Sequence, residues 1–208
     1  MNYWHYDEVK KGVISTKSEN GFKYTYVNGE NDTMLKAYTE DFGVIYVLAK
    51  SLRKRDGKLK AHVRKYRYTT ITIVKGKERY RLTGASEIYI HHDLLMESAQ
   101  LIEKYHQGEQ KSNSLFNKIY NLMSLYQEQS RVIDVNTSFT NTVDTNNYRR
   151  ALYFILLVDL GYIDAVSIGV SDIEEYRKLD THDILLRVSL YKTEINSQIR
   201  RALRESML

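Results

Sequence analysis

Residues 49 to 67, AKSLRKRDGKLKAHVRKYR, are strongly basic. Like charges at this density repel one another, so the stretch favours a polyanionic partner that lies across it. A solvated charged face is the alternative, because short basic runs are weak motifs. The candidate phosphate-binding residues, set against the single acid Asp56, are Lys50, Arg53, Lys54, Arg55, Lys58, Lys60, Arg64, Lys65 and Arg67.

The residues that follow the basic stretch predict a β-hairpin. Residues 68 to 74, YTTITIV, combine β-branched and aromatic side chains, and residues 78 to 83 resume this character after a turn at Lys75-Gly76-Lys77. The charges therefore lie on the approach to a folded hairpin rather than in a disordered tail. Tyr66 and Tyr68 are candidates for stacking on a nucleic-acid base, and packing against the sheet is the alternative for each.

Turn signals divide the first 85 residues into short strands. Asn28-Gly29 is a strong hairpin dipeptide, and Asp41-Phe42-Gly43 predicts a further turn. Residues 44 to 49, VIYVLA, are nearly all apolar and predict a strand that is covered on both sides. The remaining strands are predicted over residues 3–15, 22–27 and 33–39. About five or six such strands predict a small closed or partly open antiparallel barrel, for which the five-stranded oligonucleotide-binding fold (OB-fold) is the leading candidate.

The hydrophobic period changes to that of helices after residue 87. Ser114 is expected to cap the second helix and Asn147 the third, after a polar loop over residues 134 to 147. The third helix is apolar enough to form a core and is expected to end at Gly161. Asp172 starts either a loop or a short helix. The four longer helices are predicted over residues 91–105, 115–130, 148–160 and 180–208.

These patterns predict an α+β protein with two domains. Residues 1–85 would form an OB-fold nucleic-acid-binding domain, and residues 86–208 an α-helical domain for packing and protein partners. Charge follows the same division: residues 1 to 82 contain 18 lysines and arginines against 9 acids, and residues 83 to 208 contain 13 against 17. The basic half is expected to meet nucleic acid, and the mildly acidic half to meet proteins.

The sequence offers no pattern typical of an enzyme. It has no cysteine, which excludes disulfides and thiolate zinc sites, and it contains no P-loop, dinucleotide fingerprint or HExxH motif. His91-His92 is a poor metal site because adjacent side chains diverge, and Asp32 with Asp41 would be a poor nuclease site. We therefore expect a binding protein with no catalytic residue, no metal and no cofactor.

The sequence also bears on location. No segment approaches the length of a membrane span, and the first residues lack the apolar run of a secretory signal. We expect a cytoplasmic protein with no membrane partner.

Several segments resemble a known family. Residues 29–43, GENDTMLKAYTEDFG, resemble the second-to-third strand segment of RecO-type recombination mediators. Residues 49–63 are similar to that family's Ala-x-Gly-x-Arg-Lys-x-x-Ser-Lys-Leu pattern, except that Ser51 replaces the glycine and Gly57 the serine. Residues 74–87, VKGKERYRLTGASE, resemble its closing hairpin, and residues 154–165, FILLVDLGYIDA, its apolar helix and Leu-Gly-Tyr turn.

The resemblance implies an OB-fold barrel followed by a helical domain. It implies binding of single- and double-stranded DNA, annealing of complementary strands, and assistance in loading the RecA recombinase onto strands coated by single-strand-binding protein. The implied partners are RecR and the acidic, apolar C-terminal tail of the coating protein, and the implied location is the bacterial cytoplasm, with nucleoid association when engaged.

One departure and one rival hypothesis remain. Many members of the family carry a four-cysteine zinc element after the Leu-Gly-Tyr turn, but residues 163 to 179 contain no cysteine, so we expect that element to be shortened or replaced by a plain loop. The rival is a protein-binding adaptor that grips an acidic protein and has only incidental affinity for DNA.

Overall fold

A computed structural model describes residues 8–15, 32–50, 67–76, 80–88, 92–105, 112–135 and 143–205. The strand predicted over residues 22–27 lies outside these ranges, as do residues 51–66 of the basic stretch. These parts of the sequence interpretation stay predictions. The structure is α+β, as expected: five described strands precede the helices.

The strands agree closely with the sequence pattern. The predicted strand over residues 33–39 is confirmed without change, the next begins one residue earlier than predicted, and the hairpin around Gly76 is confirmed by antiparallel pairing. Within the predicted first strand, the described part begins at Glu8. The five strands are β1 (Glu8–Ser15), β2 (Thr33–Thr39), β3 (Gly43–Ala49), β4 (Arg67–Lys75) and β5 (Tyr80–Ile88).

Strands β2, β3, β5 and β4 form a mixed sheet, and β1 pairs with strands at both of its edges. The pairs β2–β3 and β4–β5 are antiparallel, and β3–β5 is parallel. Strand β1 pairs antiparallel with β2 and with β4, which closes the order β1-β2-β3-β5-β4 into a barrel. The prediction of a wholly antiparallel barrel was wrong at β3–β5, because strand directions cannot alternate all the way around a ring of five.

The interior of the barrel is filled by side chains of alternating strand positions. On β2 and β3 the small residues Ala37 and Ala49 accompany Leu35, Ile45 and Val47, which are all buried. From β4 and β5 the core receives Ile71, Ile73 and Leu82. This alternation defines the opposite positions on each strand as outward-facing.

A tight turn joins β2 to β3. The Thr39 hydroxyl donates to the carbonyl of Gly43 at 3.1 Å and accepts from the backbone N–H of Phe42 at 3.2 Å. Gly43 has φ = 66°, a conformation that glycine adopts without the steric cost other residues meet. The predicted turn over residues 41–43 is confirmed.

Helix α1 (His92–Tyr105) contacts β1 and β4. The Lys36 ammonium on the outward face of β2 donates to the Glu103 carbonyl at 3.5 Å. By its contacts the chain divides into two compact units, Met1–Ser112 and Asn113–Leu208. The division falls later than the predicted boundary after residue 85, because α1 belongs with the strands it touches.

The second unit is built around one apolar helix. Its elements are α2 (Asn113–Val135), α3 (Thr145–Asp159), a 3₁₀ turn (Ala165–Ile168), α4 (Ile173–Lys178), α5 (Thr181–Leu190) and α6 (Lys192–Glu205). Helix α3 buries nine residues and contacts α2, α5 and α6. The prediction that this segment is the core helix is confirmed.

Several predicted helix ends differ from the structure. Ser114 and Asn147 lie inside α2 and α3; the cap of α3 is Asp144, whose carboxylate accepts from the Asn147 N–H at 3.1 Å. Gly161 ends α3 as predicted, with φ = 77° and its N–H donating to the Val158 carbonyl. The predicted helix over 180–208 is two helices separated at Tyr191.

The stretch over residues 163–179 was expected to be shortened or replaced by a plain loop, with either a loop or a short helix starting at Asp172, and the short helix is confirmed. It forms the 3₁₀ turn and α4, whose N-termini are capped by Asp164 and Asp172. Their carboxylates accept from backbone N–H groups at 3.0 and 2.8 Å. Glu175 accepts from the Ser171 N–H at 2.6 Å and from its hydroxyl at 2.8 Å, and these bonds lower the Glu175 pKa. Local side-chain caps thus order this segment.

A buried lysine fastens α4 to the rest of the unit. The Lys118 ammonium of α2 donates to the Leu179 carbonyl at 2.8 Å and lies 4.9 Å from the centre of the Tyr176 ring. Burial lowers the pKa of Lys118, against the opposing effect of Asp180 and Asp159. Tyr176 itself packs edge-on against Phe154 of α3.

We predict that Lys118→Ala lowers the free energy of unfolding by about 1.5–3 kcal/mol, because buried carbonyls lose a charged hydrogen-bond donor. The matched control is Lys178→Ala, which removes the same charge from an exposed position of α4 and should change stability by less than about 0.5 kcal/mol. Urea denaturation of both variants measures the difference. Equal effects would contradict the anchoring role of Lys118.

Candidate nucleic-acid interface

Strand β3 precedes the basic stretch and strand β4 follows it. The last residue of β3 and the first residue of β4 lie toward the same end of the barrel. Strand β3 ends at Ala49, which pairs with Thr33 at the start of β2. Strand β4 begins at Arg67, which pairs with Ile14 near the end of β1. Strands β1 and β2 are antiparallel, and Ser15 at the end of β1 pairs with Lys36, three residues after the start of β2. The two attachment points of residues 50–66 therefore lie toward the same end of the barrel, with an offset of four residues between Thr33 and Ala37, the β2 residues at their levels.

Lys50 is the predicted phosphate-binding residue whose side chain the structure describes. It lies in the turn directly after β3 and is exposed. Arg67 is placed as the first residue of β4. The other residues predicted to bind nucleic acid lie outside the described ranges and stay predictions: Arg53, Lys54, Arg55, Lys58, Lys60, Arg64, Lys65 and Tyr66.

The structure decides between the two alternatives that the sequence left open for Tyr68. Its side chain is 2% exposed, so its ring is not available to stack on a base, and the packing alternative is confirmed. Tyr68 faces away from the barrel interior on a strand that α1 contacts. The sequence alternation gives the two faces of a strand but not which neighbouring element covers the outer one, which is why the sequence left both alternatives open for Tyr68.

Sequence reasoning missed an exposed tyrosine on the barrel. Tyr46 stands in the middle of β3 with 40% of its surface exposed, although the other six residues of that strand are buried. It pairs with Lys36 of β2, and Arg81 of β5 is exposed on the same outward face. The nearly continuous apolar run of VIYVLA hid this residue, because such a run predicts burial of both faces.

The strands contribute two cations to this outward face, and one of them is paired with a carboxylate of α1: the Lys36 Nζ lies 4.0 Å from the Glu103 Oε1. Among the described residues of β2 to β5, the outward positions carry Lys36 and Arg81 and no carboxylate. Asp32 precedes β2 and Asp41 follows it, so roughly 20 Å of strand separates them at about 3.3 Å per residue. That distance is too great for a shared metal ion and agrees with the expectation of a poor nuclease site.

The second unit contains a groove between α3 and α6 with a volume of about 400 Å³. Arg150 lies at its base, 8% exposed. The Arg150 Nε donates to the Asn196 side-chain oxygen and a terminal nitrogen donates to that of Asn147, both at 2.8 Å. The groove is lined by Asp144, Asn146, Arg149, Arg150, Tyr153, Lys192, Asn196, Ile199 and Leu203.

The Arg150 guanidinium makes its described hydrogen bonds to neutral amide oxygens. A guanidinium has five N–H donors, and these two bonds leave others for a ligand or water. Buried cations are ordinarily paired with anions, yet the groove holds three cationic residues against the single acid Asp144. Its lining combines positive charge with the apolar side chains of Tyr153, Ile199 and Leu203.

A further group of possible ligands lies at the start of α5. The side-chain atoms of Asp180, His182 and Asp183 lie within 4.8 Å of one another and are exposed. Asp180 is the N-cap of α5 and accepts from the Asp183 N–H at 2.7 Å. Capping therefore accounts for this arrangement.

No protein-family model matches the chain. Over 60 residues the chain is 37% identical to the DNA repair protein RecO of Dehalococcoides mccartyi. The chain is similar to a DNA repair protein over part of its length. The similar segment makes up 29% of this chain and 24% of the relative. No helix among the described residues is both long enough and apolar enough to cross a membrane.

We predict stability losses of unequal size for alanine substitutions at the two barrel tyrosines. Tyr68→Ala removes a buried ring and should lower the free energy of unfolding by about 3–5 kcal/mol. Tyr46→Ala removes a substantially exposed ring and should cost less than about 1.5 kcal/mol. Chemical denaturation of both variants tests the assignment of surface and interior. A larger cost at Tyr46 than at Tyr68 would contradict it.

Proposed function

We propose that the chain is a DNA-binding recombination mediator in recombinational repair that performs no covalent chemistry. In this proposal it binds single- and double-stranded DNA, anneals complementary strands and assists recombinase loading on DNA coated by single-strand-binding protein. The observation that carries the proposal is the attachment of the basic stretch at Ala49 and Arg67, on one end of the barrel. Both ends of the stretch are thereby held on a folded support.

The strand arrangement supports assignment of the barrel to the OB-fold. That fold is a five-stranded Greek-key barrel whose second and third strands and connecting loops bind oligonucleotides and oligosaccharides. Here β2 and β3 are neighbours, β3 pairs with β5, and β1 pairs with both β2 and β4. We infer that the barrel binds nucleic acid through the outward face of β2 and β3 and through the basic stretch.

The basic stretch supplies the physical basis for binding and annealing. Lysine and arginine neutralise phosphates and release condensed counterions, which gives affinity without sequence preference. Two strands neutralised on one surface repel each other less, so complementary segments meet more often. The partial similarity to a DNA repair protein supports placing this binding in repair.

The helical unit is proposed to recruit protein partners. The groove between α3 and α6 combines apolar side chains with Arg149, Arg150 and Lys192. This lining fits an acidic and apolar peptide, so we propose that it takes the C-terminal tail of single-strand-binding protein. RecR is the second proposed partner, and the proposed location is the bacterial cytoplasm, with nucleoid association when the protein is engaged.

We predict that replacing Arg53, Lys54 and Arg55 with alanine weakens DNA binding and flattens its salt dependence. Each lost phosphate contact should reduce the log–log salt slope by about 0.7 on single strands and about 0.9 on duplex DNA. The matched control replaces three exposed arginines of α6, Arg200, Arg201 and Arg204. Fluorescence anisotropy with labelled oligonucleotides at several salt concentrations measures the slopes.

An unchanged slope in the variant of the basic stretch would contradict the proposed interface. Failure of the unmodified protein to bind any oligonucleotide would reject the proposed function and favour the protein-binding adaptor instead. An annealing assay with complementary strands then distinguishes a mediator from a simple DNA-binding protein.

We predict that Arg150→Met weakens binding of the terminal peptide of single-strand-binding protein by at least about 30-fold, because truncating a buried, hydrogen-bonded charge at an interface costs about 2 kcal/mol or more. Its affinity for oligonucleotides should not change. Lys178→Met, an exposed substitution of the same charge on α4, is the control. Equal peptide affinity in Arg150→Met and the unmodified protein would reject the groove as the binding site.

A further inference from the structure

The exposed ring of Tyr46 occupies an unusual position in its strand. The burial pattern of β3 is interrupted only at this residue, which is 40% exposed between buried Ile45 and buried Val47. A single exposed aromatic residue is common on protein surfaces and has no meaning alone. The charged residues near Tyr46 on the outward face are what point to a binding role.

Cations lie on both sides of Tyr46. Lys36 is its direct partner on β2, where the side chains of opposed residues approach closely. Arg81 of β5 pairs with Leu48, two positions further along β3 on the same face, and is exposed. Lys50 follows four residues after Tyr46, about 13 Å along the strand direction. The ring therefore lies beside Lys36, whose ammonium is 4.0 Å from the Glu103 carboxylate of α1, and near the exposed cations Arg81 and Lys50.

This combination matches the chemistry of an unpaired nucleotide. An aromatic ring offers a stacking surface to the face of a base, and flanking cations attract the phosphates on either side of it. In duplex DNA the base faces are covered by their stacked neighbours, so a duplex offers only its phosphates to such a surface. The ring therefore distinguishes single from double strands, because only an unpaired base offers its face for stacking. The cations do not distinguish them, because both kinds of strand offer phosphates.

We propose that Tyr46 stacks on an unpaired base and gives the barrel a preference for single-stranded nucleic acid. The proposal rests on the proposed function, since it requires that the barrel bind nucleic acid. It adds a binding residue outside the basic stretch and assigns the two parts different roles. The cations of the stretch supply affinity for any polyanion, and Tyr46 supplies the part that depends on exposed bases.

The test compares three labelled probes of equal length: oligothymidylate, an oligomer of abasic sites, and a blunt duplex. The variants are Tyr46→Leu, which keeps an apolar residue on the strand, and Tyr46→Phe, which keeps an aromatic ring. The control is Tyr162→Leu, because Tyr162 is 45% exposed in the helical unit. Circular dichroism and thermal unfolding confirm that each variant is folded.

We expect Tyr46→Leu to bind oligothymidylate about 5- to 150-fold more weakly, the range given by one base–aromatic stack. Its affinity for the abasic oligomer and the duplex, and its salt slope, should equal those of the unmodified protein. Tyr46→Phe should retain the affinity for oligothymidylate, and Tyr162→Leu should change nothing.

Three outcomes would overturn the proposal. One is unchanged affinity of Tyr46→Leu for oligothymidylate, and another is an equal loss on all three probes, which would indicate a general disturbance of the surface. The third is a loss in Tyr46→Phe as large as that in Tyr46→Leu. In each of these cases binding by the unmodified protein leaves the proposed function standing, whereas absence of binding to every probe rejects both proposals.

Discussion

Closure of the five-stranded ring is the constraint on which the first unit depends. Strand β1 pairs with β2 on one side and with β4 on the other, and the interior is filled by apolar residues such as Leu35, Ile45 and Ile71. Both attachment points of the basic stretch belong to strands of this ring. Since the packed core fixes the strands, it also fixes the positions at which residues 50–66 leave the barrel and rejoin it.

In the second unit, too, the apolar residues that form the core differ from the residues that are proposed to bind a partner. Helix α3 is buried along most of its length, and its neighbours α2, α5 and α6 cover it. Arg150 is on this helix, where two amide oxygens hold its guanidinium. A cation kept in a buried position without a carboxylate partner costs stability, which is a reason to associate the groove with a ligand. The capped segment over residues 163–179 completes this unit with side-chain hydrogen bonds at its helix ends.

Much of the fold could be predicted, because periodicity reports directly on burial. Residues 33–39 lie between turn signals and residues 151–158 are continuously apolar, and both elements appear where predicted. The break at Tyr191 could not be predicted, since the buried residues Val188 and Ile195 keep helical spacing across it. The exposure of Tyr46 and the burial of Tyr68 depend on which neighbouring elements cover each strand, and local sequence does not carry that information.

The central claim is that one face and one end of the barrel bind nucleic acid. Hydrogen–deuterium exchange of the full chain, measured by mass spectrometry with and without a saturating oligonucleotide, tests it most directly. The account predicts that the oligonucleotide slows exchange in peptides covering β3 and residues 50–67, with little change in peptides of α2 to α6. Slowed exchange confined to residues 113–205, with none in the barrel, would contradict it.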